Sequence, residues 1–149
     1  MAQLRYLIDT KKHNDFLKAK HFDYVLIDAP CSGFGTIRRN PDKKYSLSID
    51  IIKEFQKQQK EILKYYSQFL KNGGHLIYAT CSILQLENED ILEDFLSKNP
   101  DFKPNPFKSS FDKYKLQIPI KEDTYHLTIF PEDFETDGFF IASLVRRSD

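Results

Sequence analysis

The sequence predicts an α/β fold, the second half of a doubly wound domain built on a largely parallel sheet. Three observations carry that prediction. Two apolar runs, Tyr24-Val25-Leu26-Ile27 and His75-Leu76-Ile77-Tyr78-Ala79-Thr80, have the length of buried strands, and each empties into a loop bearing a cysteine. Between them, and again after the second, apolar residues recur at helical spacing, giving two βαβ-type steps and parallel neighbours with right-handed crossovers. Near the end, Tyr125 to Phe130 and Phe139 to Val145 read as a hairpin, which adds an antiparallel strand to the sheet.

The elements follow in order. Leu4, Tyr6, Leu7 and Ile8 suggest a short strand ending at Asp9, and Asn14 to Ala19 a short helix. His21 to Ile27 is the first firm strand, closed by the carboxylate of Asp28. Pro30 stops further ladder pairing, Cys31 follows, and Gly33 and Gly35 let the chain turn tightly. A long helix lies within Ser46 to Asn72, on the stripe Ile49, Ile52, Phe55, Ile62, Leu63, Tyr66, Phe69 and Leu70. Ser48 suits its N-cap, Asp50 its first turn, and Gly73-Gly74 its C-terminal stop. The second strand delivers Cys81 and Ser82. A second helix spans Leu86 to Lys98, with Ile91, Leu92, Phe95 and Leu96 inward and Glu87, Glu89 and Asp90 in its first turn; Pro100 ends it. Pro100, Pro104, Pro106 and Pro119 make residues 99–121 read as an irregular connection, and Pro131 to Gly138 joins the two last strands.

Length and composition bound what such a fold does. The 149 residues fit one domain, with 40% hydrophobic and 30% charged residues, an ordinary globular balance. Lys+Arg and Asp+Glu are 22 each, so the net charge is zero and any contact with nucleic acid falls to a local patch. No signal peptide is visible, and no apolar run approaches the roughly 18 residues of a membrane span. The expectation is a cytoplasmic protein with reduced thiols and no membrane contact.

The two cysteines hold the chemistry. Ligands of open α/β sheets bind beyond the carboxyl ends of the strands. Adjacent parallel strands lie about 4.8 Å apart, so the loops after Asp28 and Thr80 would open into one crevice and bring Cys31 towards Cys81. An isolated cysteine is ordinarily a small buried hydrophobe, but two thiols in one crevice suit nucleophilic addition, redox exchange or half a metal site. A metal site lacks ligands: there is no Cys-x-x-Cys, and His13, His21, His75 and His126 are scattered. Redox exchange lacks its usual close cysteine pair. Nucleophilic addition remains.

At these residues the chain resembles a known family. Asp28-Ala29-Pro30-Cys31-Ser32-Gly33-Phe34-Gly35-Thr36, followed by Arg38-Arg39-Asn40-Pro41-Asp42, is similar to the fourth motif of the RNA cytosine-C5 methyltransferases of the NOL1/NOP2/Sun type, especially the bacterial 16S rRNA enzymes. Ala79-Thr80-Cys81-Ser82 resembles their sixth motif, with Glu87-Asn88-Glu89 following at the familiar distance, and Asp137-Gly138-Phe139-Phe140-Ile141-Ala142 resembles their closing strand. The resemblance runs from about residue 21 to the end. It implies the C-terminal half of a class I, Rossmann-like methyltransferase domain.

It also implies roles. Cys81 would add to C6 of a cytosine, making C5 nucleophilic towards the methyl group of S-adenosylmethionine, and Cys31 would assist release of the 5-methylcytosine product. Asp28 would hold the cofactor or the flipped base at the strand end, with Asp9 as a further cofactor-side acid. Arg38 and Arg39, with Lys43 and Lys44, form a basic cluster suited to RNA phosphates, and the resemblance implies those of ribosomal RNA. Phe34 and Tyr45 suit stacking on a base or plain loop packing.

The chain also departs from the family pattern. No Gly-x-Gly cofactor loop precedes Asp28, the usual N-terminal RNA-binding region is absent, and Pro131 is followed by Glu132 where the family often has histidine. The expectation is a partial methyltransferase domain over residues 1–149, a fragment or a split gene product. Its open sheet edge would be capped by residues 4–8, paired in a homodimer, or joined by the missing half. The alternative function is a catalytically silent RNA-binding or scaffolding piece of the same fold.

Overall fold

The computed structural model describes residues 22–148. In chain order the elements are β1 (Phe22–Asp28), α1 (Lys43–Ser46), α2 (Ile49–Ser67), β2 (Leu70–Thr80), α3 (Glu89–Lys98), β3 (Phe102–Pro104), α4 (Lys108–Tyr114), β4 (His126–Ile129), α5 (Pro131–Phe134) and β5 (Phe139–Arg146). Short 3-10 turns at Phe34–Thr36 and Gln85–Glu87 interrupt the two cysteine loops. The five strands form one sheet in the order β1-β2-β5-β3, with β4 sharing β5.

β1 and β2 are parallel, and α2 is the crossover that joins them. The N-cap is as the sequence predicts: the Ser48 hydroxyl accepts from the amide of Ile51 at 3.3 Å. Side chains alternate across the sheet. Val25, Ile27, Leu76, Tyr78, Ala142 and Leu144 share one face through the pairings Val25↔Leu76, Ile27↔Tyr78, Leu76↔Leu144 and Tyr78↔Ala142. Leu63 of α2 and Ile91, Leu92 and Phe95 of α3 close over that face, forming a core that also holds Phe102 and Phe140. Phe95 meets Phe102 edge-on at 5.0 Å between ring centres.

Several expectations need correction. The second strand–helix–strand step does not give parallel neighbours. β5 inserts between β2 and β4, antiparallel to both, and also pairs antiparallel with β3. The hairpin strand therefore lies inside the sheet, where its backbone groups pair on both edges and Phe140, Ala142 and Leu144 are buried. Gly73-Gly74 does not cap α2, which ends at Ser67. It lies within β2, where register jumps from Phe22↔Leu70 to Tyr24↔His75 and Gly73 takes a left-handed φ of 75°. Residues 99–121 hold β3 and α4 rather than a wholly irregular connection. Tyr24 and Leu26 are each 69% exposed, so β1 is buried on one face only among the described residues. Residues 4–8 and Asp9 lie outside the described residues.

Candidate active site

Pairing of β1 with β2 continues one residue past β1, where the amide of Ala29 donates to the carbonyl of Ala79 at 2.9 Å. Both chains then leave the sheet at the same end, and their loops turn towards each other. The result is a pair of free thiols with Cys31 Sγ 3.3 Å from Cys81 Sγ. A disulfide bond would be about 2.05 Å, so these are two unbonded sulfurs in hydrogen-bond contact. The approach of the two thiols expected from parallel adjacency is met.

Burial pushes the Cys31 thiol up to about 12; its hydrogen bond to Cys81 and the charges of Cys81 and Glu87 add to the effect, while a backbone hydrogen bond at Gly33 opposes it. At neutral pH Cys31 therefore keeps its proton. Its S–H is thus available as a hydrogen-bond donor to the Cys81 sulfur.

Beneath the sulfurs lies Glu87, fully buried. Its Oε2 accepts from the Ser32 hydroxyl at 2.5 Å and from the Ser82 hydroxyl at 2.6 Å. Its Oε1 accepts from the Ser32 amide at 2.7 Å and from Gln59 Nε2 at 3.3 Å. Gln59 Nε2 also donates to the Pro30 carbonyl at 2.9 Å, and Tyr78 donates to the Glu87 carbonyl at 2.8 Å. A second brace holds the turn around Cys81. Thr80 Oγ1 donates to Asn88 Oδ1 at 2.7 Å, and Asn88 Nδ2 donates to the Ser82 carbonyl at 2.9 Å.

A third loop completes the rim. Gly35 donates its amide to the Cys81 carbonyl at 3.0 Å and accepts from the amide of Gly138 at 2.8 Å. Because β5 runs antiparallel to β2, the segment before β5 arrives at the end of the sheet where the cysteines stand.

The remaining sequence-derived candidates are more peripheral. Asp28 closes β1 with its side chain exposed, three residues before Cys31. Arg38 is exposed, whereas Arg39 Nε is 2.6 Å from Asp137 Oδ2. These two arginines, with Glu135, Thr136 and Asp137, line an open depression of about 520 Å³. Phe34 is half-buried; Tyr45 is exposed, with Lys44 Nζ 4.8 Å from its ring centre. Among the described residues no group of three or more His, Cys, Asp or Glu is placed to hold a metal ion. Nor is any helix there long and apolar enough to cross a membrane.

Sequence reasoning missed Glu87 as a site residue and placed it in the first turn of a helix. In fact α3 begins at Glu89 and Glu87 ends a 3-10 turn, pointing inward. It also missed Gln59. The signal for Gln59 was present: it interrupts the apolar stripe of α2 between Phe55 and Ile62, a polar residue at a position that must be buried.

Comparison with known proteins agrees with this architecture. A family model described as 16S rRNA methyltransferase RsmB/F matches residues 3–145. The chain is 36% identical over 140 residues to the probable ribosomal RNA small subunit methyltransferase B of Bacillus subtilis, covering 94% of this chain and 31% of the relative. The crystal structure of PH0851 aligns with a TM-score of 0.76 at 35% identity, over 91% of this chain and 29% of that one. A methyltransferase homologue from Pyrococcus horikoshii aligns with a TM-score of 0.63 at 31% identity, over 86% of this chain and 40% of that one. The chain thus spans less than half the length of each of these relatives.

Proposed function

Because this chain belongs to the RsmB/F family of 16S rRNA methyltransferases, we propose that it forms the thiol-bearing part of an enzyme that methylates C5 of a cytosine in ribosomal RNA. The observation that carries the reading is the Cys31–Cys81 contact of 3.3 Å at the carboxyl end of two parallel strands.

In the proposed reaction Cys81, as thiolate, adds to C6 of a cytosine turned out of its stack. The bond to sulfur pushes electron density onto C5, which then takes the methyl group. Loss of the C5 proton to water lets the C6–S bond break, and the sulfur departs with the bonding pair. Cys31, still protonated, donates a hydrogen bond to that departing sulfur and so favours release. This division of labour fits the raised Cys31 titration and leaves attack to Cys81.

S-adenosylmethionine supplies the methyl group when bound. Asp28 fits a role beside it: an exposed carboxylate at the carboxyl end of β1 suits a cationic sulfonium ligand. Asp9 would be a second cofactor-side acid. Arg38 would contact phosphate directly, and Arg39 would do so from its ion pair with Asp137.

The test is covalent trapping with RNA carrying 5-fluorocytosine in the presence of S-adenosylmethionine. A gel-stable adduct that Cys81→Ala abolishes and Cys31→Ala preserves is expected. An adduct formed by Cys81→Ala would reassign the nucleophile. No adduct from the unaltered protein, with no heat on titrating S-adenosylmethionine with or without RNA, would favour the silent RNA-binding module.

A further inference from the structure

We propose that Glu87 is a positioning residue that sets the spacing of the two thiols by gripping the serine that follows each of them. The proposal rests on the reading that Cys31 and Cys81 work as a pair. Its geometry is specific. A single carboxylate oxygen, Oε2, takes the hydroxyls of Ser32 and Ser82 at 2.5 and 2.6 Å, and those hydroxyls lie 3.5 Å from each other. Each serine is one residue from its sulfur, so the lever between clamp and thiol is short.

The other oxygen fixes the loop in a second direction. Oε1 holds the Ser32 amide and shares Gln59 Nε2 with the Pro30 carbonyl, so the residues on either side of Cys31 are both restrained. On the far side, Tyr78 holds the Glu87 carbonyl and Asn88, the next residue, holds the Ser82 carbonyl. The clamp therefore reaches both cysteine loops from one side chain 55 residues away from Ser32 in sequence.

The chemistry of burial supports a purpose beyond stability. A buried carboxylate is costly to desolvate, and apolar residues of similar size often stabilise a fold as well or better. What an apolar side chain cannot do is bind two hydroxyls and an amide at set distances. A pair of sulfurs that must share one proton needs such control, because displacement of about 1 Å can cost on the order of 100-fold in rate.

The experiment reads sulfur spacing without RNA or methyl donor. Phenylarsine oxide reacts with a close dithiol by forming two As–S bonds, its oxygen leaving as water with both thiol protons. The chain has only two cysteines, so protection of both from later alkylation reports the bridge directly. One equivalent should protect the unaltered protein. The Ser32→Ala/Ser82→Ala double variant, which deletes both hydroxyl links but keeps the carboxylate, should bind the arsenical about 10-fold more weakly while its circular dichroism stays native.

Glu87→Gln, with both serines kept, should leave capture close to that of the unaltered protein, since its amide can accept from the Ser32 amide and donate to the hydroxyls. Native-like capture by the folded double-alanine variant would overturn the proposal, as would loss of capture in folded Glu87→Gln. Failure of RNA trapping alongside normal arsenical behaviour would instead remove the methyltransferase reading and leave the clamp intact.

Discussion

The carbonyl of Gly35 accepts a hydrogen bond of 2.8 Å from the amide of Gly138, and the amide of Gly35 donates to the Cys81 carbonyl at 3.0 Å. One glycine thus ties the Cys31 loop to the Cys81 loop and to the segment before β5. A Cβ at Gly35 would sit 2.8 Å from the Cys81 carbonyl oxygen and closer still to the Gly138 carbonyl. Backbone cannot yield as a side-chain tip can. Gly35→Ala is expected to cost about 1–3 kcal/mol, seen as a lower urea midpoint at unchanged slope.

Tyr78 is fully buried, and its hydroxyl donates to the Glu87 carbonyl at 2.8 Å. Tyr78→Phe keeps the ring against Phe140 but leaves that carbonyl without its donor. A loss of roughly 1–2 kcal/mol is expected in chemical unfolding. A variant as stable as the parent would mean that the carbonyl is satisfied otherwise.

Alkaline pH should weaken the fold through Cys31. Its thiol titrates at 9.0 ordinarily and at about 12 when folded, so over that window the native state holds a proton that the unfolded chain has released. The stabilising contribution is complete below pH 9.0 and lost as pH rises towards about 12. Burial also raises the Tyr78 hydroxyl, helped by the charges of Cys31 and Glu87, and this acts in the same direction. Unfolding free energy measured across this range should fall with pH, and Cys31→Ser should flatten part of that fall. A parallel decline in both proteins would exclude Cys31 as its source.

Removing one charge near Cys31 should show in its reactivity. The Glu87 charge helps raise the Cys31 thiol, so Glu87→Gln should move the pH midpoint of Cys31 alkylation downwards. Mass spectrometry of the two cysteine peptides separates Cys31 from Cys81. An upward shift would contradict the charge argument.

The arginines make a prediction for RNA. Arg38→Ala should weaken binding uniformly across RNA sequences and reduce the salt slope by about 0.7, the single-strand value for one phosphate contact. Arg39→Ala should do less, because Arg39 is already paired with Asp137. Binding isotherms at several salt concentrations decide this. An unchanged slope for Arg38→Ala would place the RNA elsewhere.

Much of the framework was legible in local patterns. The apolar runs at residues 24–27 and 75–80, the Ser48 cap and the amphipathic stripe up to Tyr66 report burial and chain direction, and each became the expected element. Phe69 and Leu70, by contrast, lie past the end of α2, and Leu70 opens β2. The cysteine motifs were legible because they stand just past strands, and strand ends are where an α/β sheet exposes its loops. Gly73-Gly74 misled because a glycine pair after a helical stripe has two uses, a cap and a strand irregularity, and only pairing with Phe22 and Tyr24 distinguishes them.

By itself the sequence determined the α/β class, the parallel β1–α2–β2 unit and the two thiol-bearing loops, since periodicity, capping and turn chemistry act over a few residues. The tertiary structure alone decided that β5 runs between β2 and β4, that Cys31 and Cys81 stand 3.3 Å apart, and that Glu87 lies beneath them. The physical reason is the range of the interactions. A hydrophobic pattern says that a residue is buried without naming its neighbour, and a buried carboxylate is stable only where distant donors converge on it. Ser32, Gln59 and Ser82 supply those donors from three separate elements of the chain.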